Sequence, residues 1–360
     1  MFVSVDMSIL DEAKLDELLG KVVTDLGAVA AAPLVLLGER LGLFRALVDG
    51  EAVTPGQLAE RTRTTERNVR EWLSAMAASG YLTYEGGDRF RMAPEQSAVF
   101  ADENSPVFAL GGYQSFLSCG SAEERERLER AFRDGHGVGW HEHHPDLFAG
   151  TARFFRPSYA AHLVDEWLPA LTGVVEKLRT GGRAADVGCG LGHSTVMIGK
   201  AFPGALVTGF DNHGPSVDAA RELAAEIGVK GRVSFEVAGA KDFGGGPYEL
   251  IAFFDCLHDM GDPVGALAHS REQLTDGGSI MLVEPLAGDR LEENLTPLGR
   301  AFYGASTLIC TPASQSQEVG RALGAQAGEE RTRQVAWEAG LTCFRRAAQT
   351  PFNVVYEARV

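Results

Sequence analysis

The chain places three glycines at alternate positions, Asp186-Val187-Gly188-Cys189-Gly190-Leu191-Gly192, directly behind the short apolar segment 183–187. Glycines there let the backbone turn with positive φ and let a ligand approach it with no Cβ in the way. In an open α/β sheet such a turn lies at the carboxyl edge of the strands, where these sheets bind ligands. The downstream sequence has the matching pattern. Apolar strands are expected at 205–210, 233–237, 248–254 and 279–283, with helices between them such as 217–227 and 263–274. Strands alternating with helices predict a parallel sheet wound on both faces. Two last strand-like segments, 340–350 and 352–359, meet at Pro351 and add one antiparallel strand.

The preceding half lacks this alternation. Leu34, Leu37, Leu41, Leu43 and Leu47 form an apolar helical face that ends near Gly50. Thr54-Pro55 opens a short helix over 55–61, and Thr64-Thr65-Glu66-Arg67 opens another in which Val69, Trp72, Leu73 and Met76 recur at helical spacing. Gly80 stops it, and short strands at 81–84 and 89–92 flank Gly86-Gly87. Helix, turn, helix and a two-stranded wing read as a winged-helix domain over 1–102. Residues 103–180 read as a helical linker, for which the resemblance given below implies a role as substrate lid. They comprise an exposed helix capped by Ser121, a glycine- and histidine-bearing loop at 135–145, and a helix over 156–178. The α/β domain occupies 181–360.

Several function classes are disfavoured by composition. A formal charge of −16 opposes binding to nucleic acid, which depends on basic side chains neutralising phosphates. Five cysteines, none close to another, read as reduced thiols in a cytoplasm. Asp6, Asp11 and Glu12 precede the first basic residue, Lys14, the reverse of a secretory signal. The longest apolar run, 27–37, is broken by Pro33 and is too short to span a bilayer. A soluble cytoplasmic protein, free of membrane and nucleic acid, is expected.

Asp211 follows the second strand of the α/β domain, where an acid accepts hydrogen bonds from ribose hydroxyls. With Asp186 ahead of the first glycine, the turn resembles that of the class I S-adenosylmethionine-dependent methyltransferases; nicotinamide enzymes space their glycines Gly-x-Gly-x-x-Gly. The resemblance spans residues 183–360. It implies a Rossmann-like seven-stranded sheet that binds S-adenosylmethionine and releases S-adenosylhomocysteine. It also implies cofactor contacts at Asp186, Gly188, Gly190 and Gly192, at Asp211 and Asn212 for the ribose, at Gly239, Ala240 and Lys241 near the adenine, and at Phe254 and Asp255 near the methionine end. Ala240-Lys241 stands where that family commonly has an Asp.

Leu257-His258-Asp259-Met260 resembles the Leu-His-Asp-Trp stretch of the small-molecule O-methyltransferases, in which the His is a general base. That family's N-terminal winged-helix domain mediates homodimerisation, and its linker closes over a small-molecule substrate. Phe155-Arg156-Pro157-Ser158-Tyr159 resembles the family's Phe-x-x-x-Met element; Met260 replaces Trp and Tyr159 replaces Met. The chemistry points the same way. A neutral hydroxyl attacks poorly, and an imidazole with a pKa near ~6.5 is suited to take its proton. Asp259 is placed to orient His258, and Glu284, at the end of the next strand, to steady the imidazolium. Tyr159, Trp140, His143, Phe155, Met260 and Tyr303 are the candidate substrate contacts. His141, His143 and His144 have neither a helical pair's spacing nor a zinc knuckle's, so no metal is expected. Segment 286–330 is long for a connection, with a pocket-lining helix around Phe302–Ile309 and a mobile stretch at 320–330. Two alternatives stay open: a C- or N-methyltransferase acting on an aromatic or peptide-like metabolite, and a cofactor-sensing transcriptional regulator reading DNA through Arg61, Arg63, Arg67 and Arg70.

Overall fold

The computed structural model describes residues 9–360, so Asp6 lies outside the described residues. The chain divides into two compact units, residues 1–117 and 118–360.

In the first unit Asp11 caps a helix over Glu12–Arg40, its Oδ1 accepting from the amides of Ala13 and Lys14. The helix runs straight through Pro33, which withholds only one backbone N–H. The expected break is therefore absent. This helix alone among the described residues is long and apolar enough, by length and composition, to cross a membrane. It buries only Ala31, Val35 and Gly38. Leu37 and Leu41 are exposed, contrary to their expected place on the core face, while Leu43 and Leu47 are buried. Gly38 is required by packing, since a Cβ there would lie 2.4 Å from the Trp72 ring.

The winged-helix elements follow. Helix Pro55–Thr62 carries a reciprocal cap between Thr54 and Gln57. Helix Glu66–Ala78 buries Val69, Trp72, Leu73 and Met76. Strands β1 (Thr83–Gly86) and β2 (Arg89–Arg91) form the antiparallel wing. Arg61 pairs with Asp49, Arg67 with Glu71, and Arg70 with Glu66 and Asp88.

The second unit is built on strands β3 (Arg183–Val187), β4 (Leu206–Asp211), β5 (Val233–Val237), β6 (Tyr248–Phe254), β7 (Leu274–Pro285), β8 (Cys343–Gln349) and β9 (Asn353–Arg359). They form one seven-stranded sheet in the order β5-β4-β3-β6-β7-β9-β8, parallel except for β9, which runs antiparallel to both β7 and β8. The order reverses between β3 and β6, so a crevice opens at the carboxyl ends of these strands. Apolar clusters cover both faces, one around Leu250, Met281 and Trp167 and the other around Ile251, Leu282 and Tyr356.

Two helices begin ahead of the sheet. Ser121 caps Ala122–Asp134. Helix Pro145–His162 starts well before residue 156, because His144 Nδ1 accepts the amide of Asp146 and Pro145 fits the first helical position. Two five-residue π-turns, Leu163–Trp167 and Ser306–Cys310, interrupt helical runs. Residues 320–327 are packed rather than loose. Leu323, Ala325, Gln326 and Ala327 are buried, the amide of Arg321 donates to Gly261 O at 2.8 Å, and its guanidinium engages Glu338 at 2.8 and 2.9 Å.

Candidate active site

The glycine turn folds back onto β4. The amides of Gly188 and Cys189 donate to Phe210 O, and that of Gly190 donates to Asp211 Oδ2 at 2.9 Å. All three glycines have positive φ. A Cβ on Gly192 would press within 2.7 Å of Ala220 and Phe235, whereas one on Gly190 would meet nothing within 4 Å. Gly192 is thus a packing requirement, and Gly190 keeps backbone bare towards open space. Asp186 lies beneath the turn, fully buried, accepting from Ser194 Oγ and Thr195 Oγ1 at 2.6 Å each. Burial raises its pKa to about 6. It braces the turn and the following helix and does not reach the cavity wall, so its expected cofactor contact is corrected to a supporting role. Gly192 is likewise absent from the wall.

A cavity of about 360 Å³ runs along the strand ends of the second unit. Asp211 and Asn212 line it at β4, and Gly239, Ala240 and Lys241 at β5. Lys241 Nζ bridges Asp262 Oδ2 and Glu318 Oε2 at 3.1 and 3.2 Å, spanning elements far apart in sequence. Gln317 and Glu318 belong to the wall, as does His193; no periodicity or motif marks any of them. At the other end the wall holds Phe155, Tyr159, Phe254, Asp255, Cys256 and Met260. Trp140 and Phe148 form an aromatic rim with ring centroids 5.2 Å apart.

Asp255 adopts φ +49° and accepts from Tyr159 Oη at 2.6 Å and from Asn353 Nδ2 at 2.8 Å. Burial raises its carboxyl to about 8, against these hydrogen bonds. The Tyr159 hydroxyl is also raised, by burial first and by Asp255 next.

His258 sits on the 3₁₀ turn Leu257–Asp259 that leaves β6. It is 4% exposed and stands outside the wall, to which Asp259 and Met260 do belong. The turn directs the ring at β7, where Nδ1 meets Glu284 Oε2 at 2.6 Å. Nε2 faces Asp259 Oδ1 at 3.2 Å and the thiol of Cys310 from the second π-turn. Burial opposes charge on the imidazole, but Asp259 and Glu284 outweigh it and hold its pKa well above the usual value. Burial pushes the Cys310 thiol up to about 12.

Two expected substrate contacts fall elsewhere. His143 is buried with Nδ1 3.2 Å from Glu124 Oε2, while Oε1 of the same carboxylate pairs with Arg127, so it fastens the 140–144 turn to helix Ala122–Asp134. Tyr303, on helix Pro297–Ala305, is absent from the cavity wall. His141 and His144 are exposed.

Residues 178–327 match a family model described as a methyltransferase domain, and residues 29–101 match an Rv2258c-like winged HTH domain. The trans-aconitate 2-methyltransferase of Streptomyces avermitilis is 30% identical over 128 residues, 35% of this chain and 48% of that protein. The match thus spans about half the length of that curated relative. Among solved structures, the mitomycin 7-O-methyltransferase MmcR superposes with a TM-score of 0.68 at 19% identity, covering 97% of this chain and 100% of the other. Human N-acetylserotonin methyltransferase in complex with S-adenosylmethionine gives 0.67 at 17% identity, covering 100% and 99%. These likenesses establish the fold across both units.

Proposed function

We propose that this chain, whose residues 178–327 match a methyltransferase domain and whose residues 29–101 match a winged HTH domain, methylates a small-molecule acceptor at a hydroxyl with S-adenosylmethionine as the donor and His258 taking the proton. The observation that carries this is the His258–Glu284 pair at 2.6 Å behind the inner end of the cavity. Glu284 fixes the ring so that Nε2 is the nitrogen aimed away from β7, and it stabilises the charge gained with the proton.

The residues present suit the cofactor. Gly190 leaves bare backbone towards open space, Asp211 offers carboxylate lone pairs for ribose hydroxyls, and residues 238–242 border the far end. When bound, S-adenosylmethionine supplies a methyl group already activated on a sulfonium. The protein's own task is then to align the acceptor, exclude water and remove a proton. Phe155, Tyr159, Phe254 and Met260 supply apolar walls for a flat acceptor, and Trp140 with Phe148 supplies a cover. The structural neighbour MmcR, a mitomycin 7-O-methyltransferase, supports oxygen as the acceptor atom.

The test is His258→Ala. S-adenosylmethionine affinity by calorimetry should stay near wild type while turnover on an accepted substrate falls ~10²–10⁴-fold. Full activity in the variant removes the base role.

The reading includes a homodimer formed through the first unit. Leu18, Leu19, Val22, Val23, Leu26 and Val29 are all exposed along helix Glu12–Arg40, more apolar surface than one soluble helix ordinarily leaves bare.

A further inference from the structure

Cys310, outside the donor site, is a buried thiol that the methyl-transfer reading leaves without a task. Its Sγ, a ring nitrogen of His258 and a carboxylate oxygen of Asp259 all lie within 4.8 Å of one another. They come from two elements: the 3₁₀ turn Leu257–Asp259 and the π-turn Ser306–Cys310. We propose that His258 Nε2, Asp259 and Cys310 Sγ form a site for one divalent transition metal ion of the zinc type, open to the acceptor end of the cavity.

Four observations carry this. The first is ligand chemistry. One imidazole, one carboxylate and one thiolate are donors that zinc-type ions take, and the sulfur disfavours magnesium and calcium. Three protein ligands leave the fourth tetrahedral position for a substrate, as catalytic zinc sites do. The second is spacing. Nε2 and Asp259 Oδ1 are 3.2 Å apart, close to the edge of a tetrahedron whose bonds are roughly 2.0–2.1 Å. Asp259 Oδ1 is buried and makes no hydrogen bond of good geometry, so it has a lone pair available.

The third is the support behind the ring. Glu284 Oε2 holds Nδ1 at 2.6 Å, and a carboxylate on the far nitrogen is what fixes the orientation and tautomer of a metal-bound histidine. The fourth is charge and access. A neutral imidazole, a carboxylate and a thiolate sum to −2, which a divalent ion cancels in a site too buried to carry that charge bare. Asp259 and its neighbour Met260 belong to the cavity wall, which gives the ion a way in and its open position a way out.

The proposal rests on the reading that an acceptor meets the methyl donor at this edge of the sheet, and it changes how the acceptor is activated. An acceptor oxygen bound at the open position would lose its proton to water at lower pH than it does free in solution. With the ion bound, His258 Nε2 is a ligand, so the proton-taking role proposed above belongs to the metal-free chain. The histidine loop at 141–144, where a metal was sought in the sequence, plays no part. The ligands escape a motif search because Cys310 lies far along the chain from His258 and Asp259.

The experiment uses the full chain stripped with a chelator, then titrated with Zn²⁺ by calorimetry and with Co²⁺ by visible absorption. The expected result is one ion per chain, with a sulfur-to-cobalt charge-transfer band. Cys310→Ser should abolish the band, Asp259→Asn should weaken Zn²⁺ binding at least ~10-fold, and Glu284→Gln should weaken it by about 10–100-fold. Cys343→Ser, an exposed thiol elsewhere, should change nothing. S-adenosylmethionine affinity, measured on every variant, separates loss of the site from loss of fold. Absence of stoichiometric binding in a wild type that binds S-adenosylmethionine overturns the proposal. So does binding that Cys310→Ser and Asp259→Asn leave intact. A wild type that binds the ion through Cys310 but no S-adenosylmethionine sinks the donor reading and leaves the metal site standing.

Discussion

Two aspartates near the glycine turn show how far a residue's place in a motif determines its work. Asp211 lines the cavity while its carboxylate also receives the amides of Gly190 and His213, so one side chain ties the turn to the following strand and keeps lone pairs for a ligand. Asp211→Ala should lower S-adenosylmethionine affinity by at least ~10-fold, since hydrogen bonds to a charged group are worth about 1.5–3 kcal/mol. Unchanged calorimetric affinity would count against the ribose role. Asp186 has the opposite fate. Its pKa is raised to about 6 from about 3.9 in an unfolded chain, so between these values the folded state holds the proton more tightly. Stability must therefore fall as pH rises through that window, by roughly 3 kcal/mol at most. Asp186→Asn lacks this loss, so its urea-unfolding free energy should gain on wild type between pH 4 and pH 7. Parallel pH profiles for the two proteins would refute the assignment. The sequence told that an acid precedes the turn but not which way it faces, because a strand end can present a side chain to the crevice or to the helix behind it. The same limit hid Cys310 and Glu318, whose roles arise from tertiary proximity alone.

At the scale of elements, the strands were legible almost to their ends. Buried parallel strands are apolar runs bounded by turns, and 183–187 and 248–254 stand where that pattern puts them, while the edge strand 233–237 is marked by alternation of buried and exposed residues. Helix starts were harder. His144 is not a usual cap, and its ring nitrogen replaces the hydroxyl or carboxylate that sequence reading looks for. Pro33 taken alone disfavours a helix, yet packing of Val35 and Gly38 against the winged-helix core carries the helix across it. The glycine turn divides into two tasks that substitution can separate. Gly192→Ala forces a Cβ into Ala220 and Phe235 at φ +79° and should destabilise the fold by about 2–4 kcal/mol. Gly190→Ala, at φ +51° with open space ahead, should lose only about 1–2 kcal/mol of stability yet weaken S-adenosylmethionine binding disproportionately. Denaturant unfolding and calorimetry on both variants check the contrast, and equal effects on binding would erase it.

For the whole molecule, the winged-helix region and the α/β region were both evident from the switch in hydrophobic periodicity. What the sequence hid was the length of the first helix and the apolar surface it leaves bare, since Gly27, Pro33 and scattered charges disguise a continuous element. Membrane passage and self-association both bury such a surface. The dimer reading predicts that light scattering finds twice the chain mass for wild type, and that Leu19→Glu with Val23→Glu and Leu26→Glu gives a monomer that still binds S-adenosylmethionine. A wild type that is monomeric in solution, or that partitions into neutral vesicles instead, would displace it.

The π-turn at Ser306–Cys310 has a consequence of phase. A π-turn holds one more residue than the α-helical turn it replaces, so everything beyond it is rotated by about 100° relative to an uninterrupted helix. Which residue faces His258 is therefore set by a single inserted position as much as by side-chain chemistry. Loss of that one position would carry Cys310 a quarter-turn away and bring a neighbour round in its place, leaving the sheet and the glycine turn untouched. Within one scaffold, the character of the acceptor site is adjustable by the length of a helix and not only by its composition.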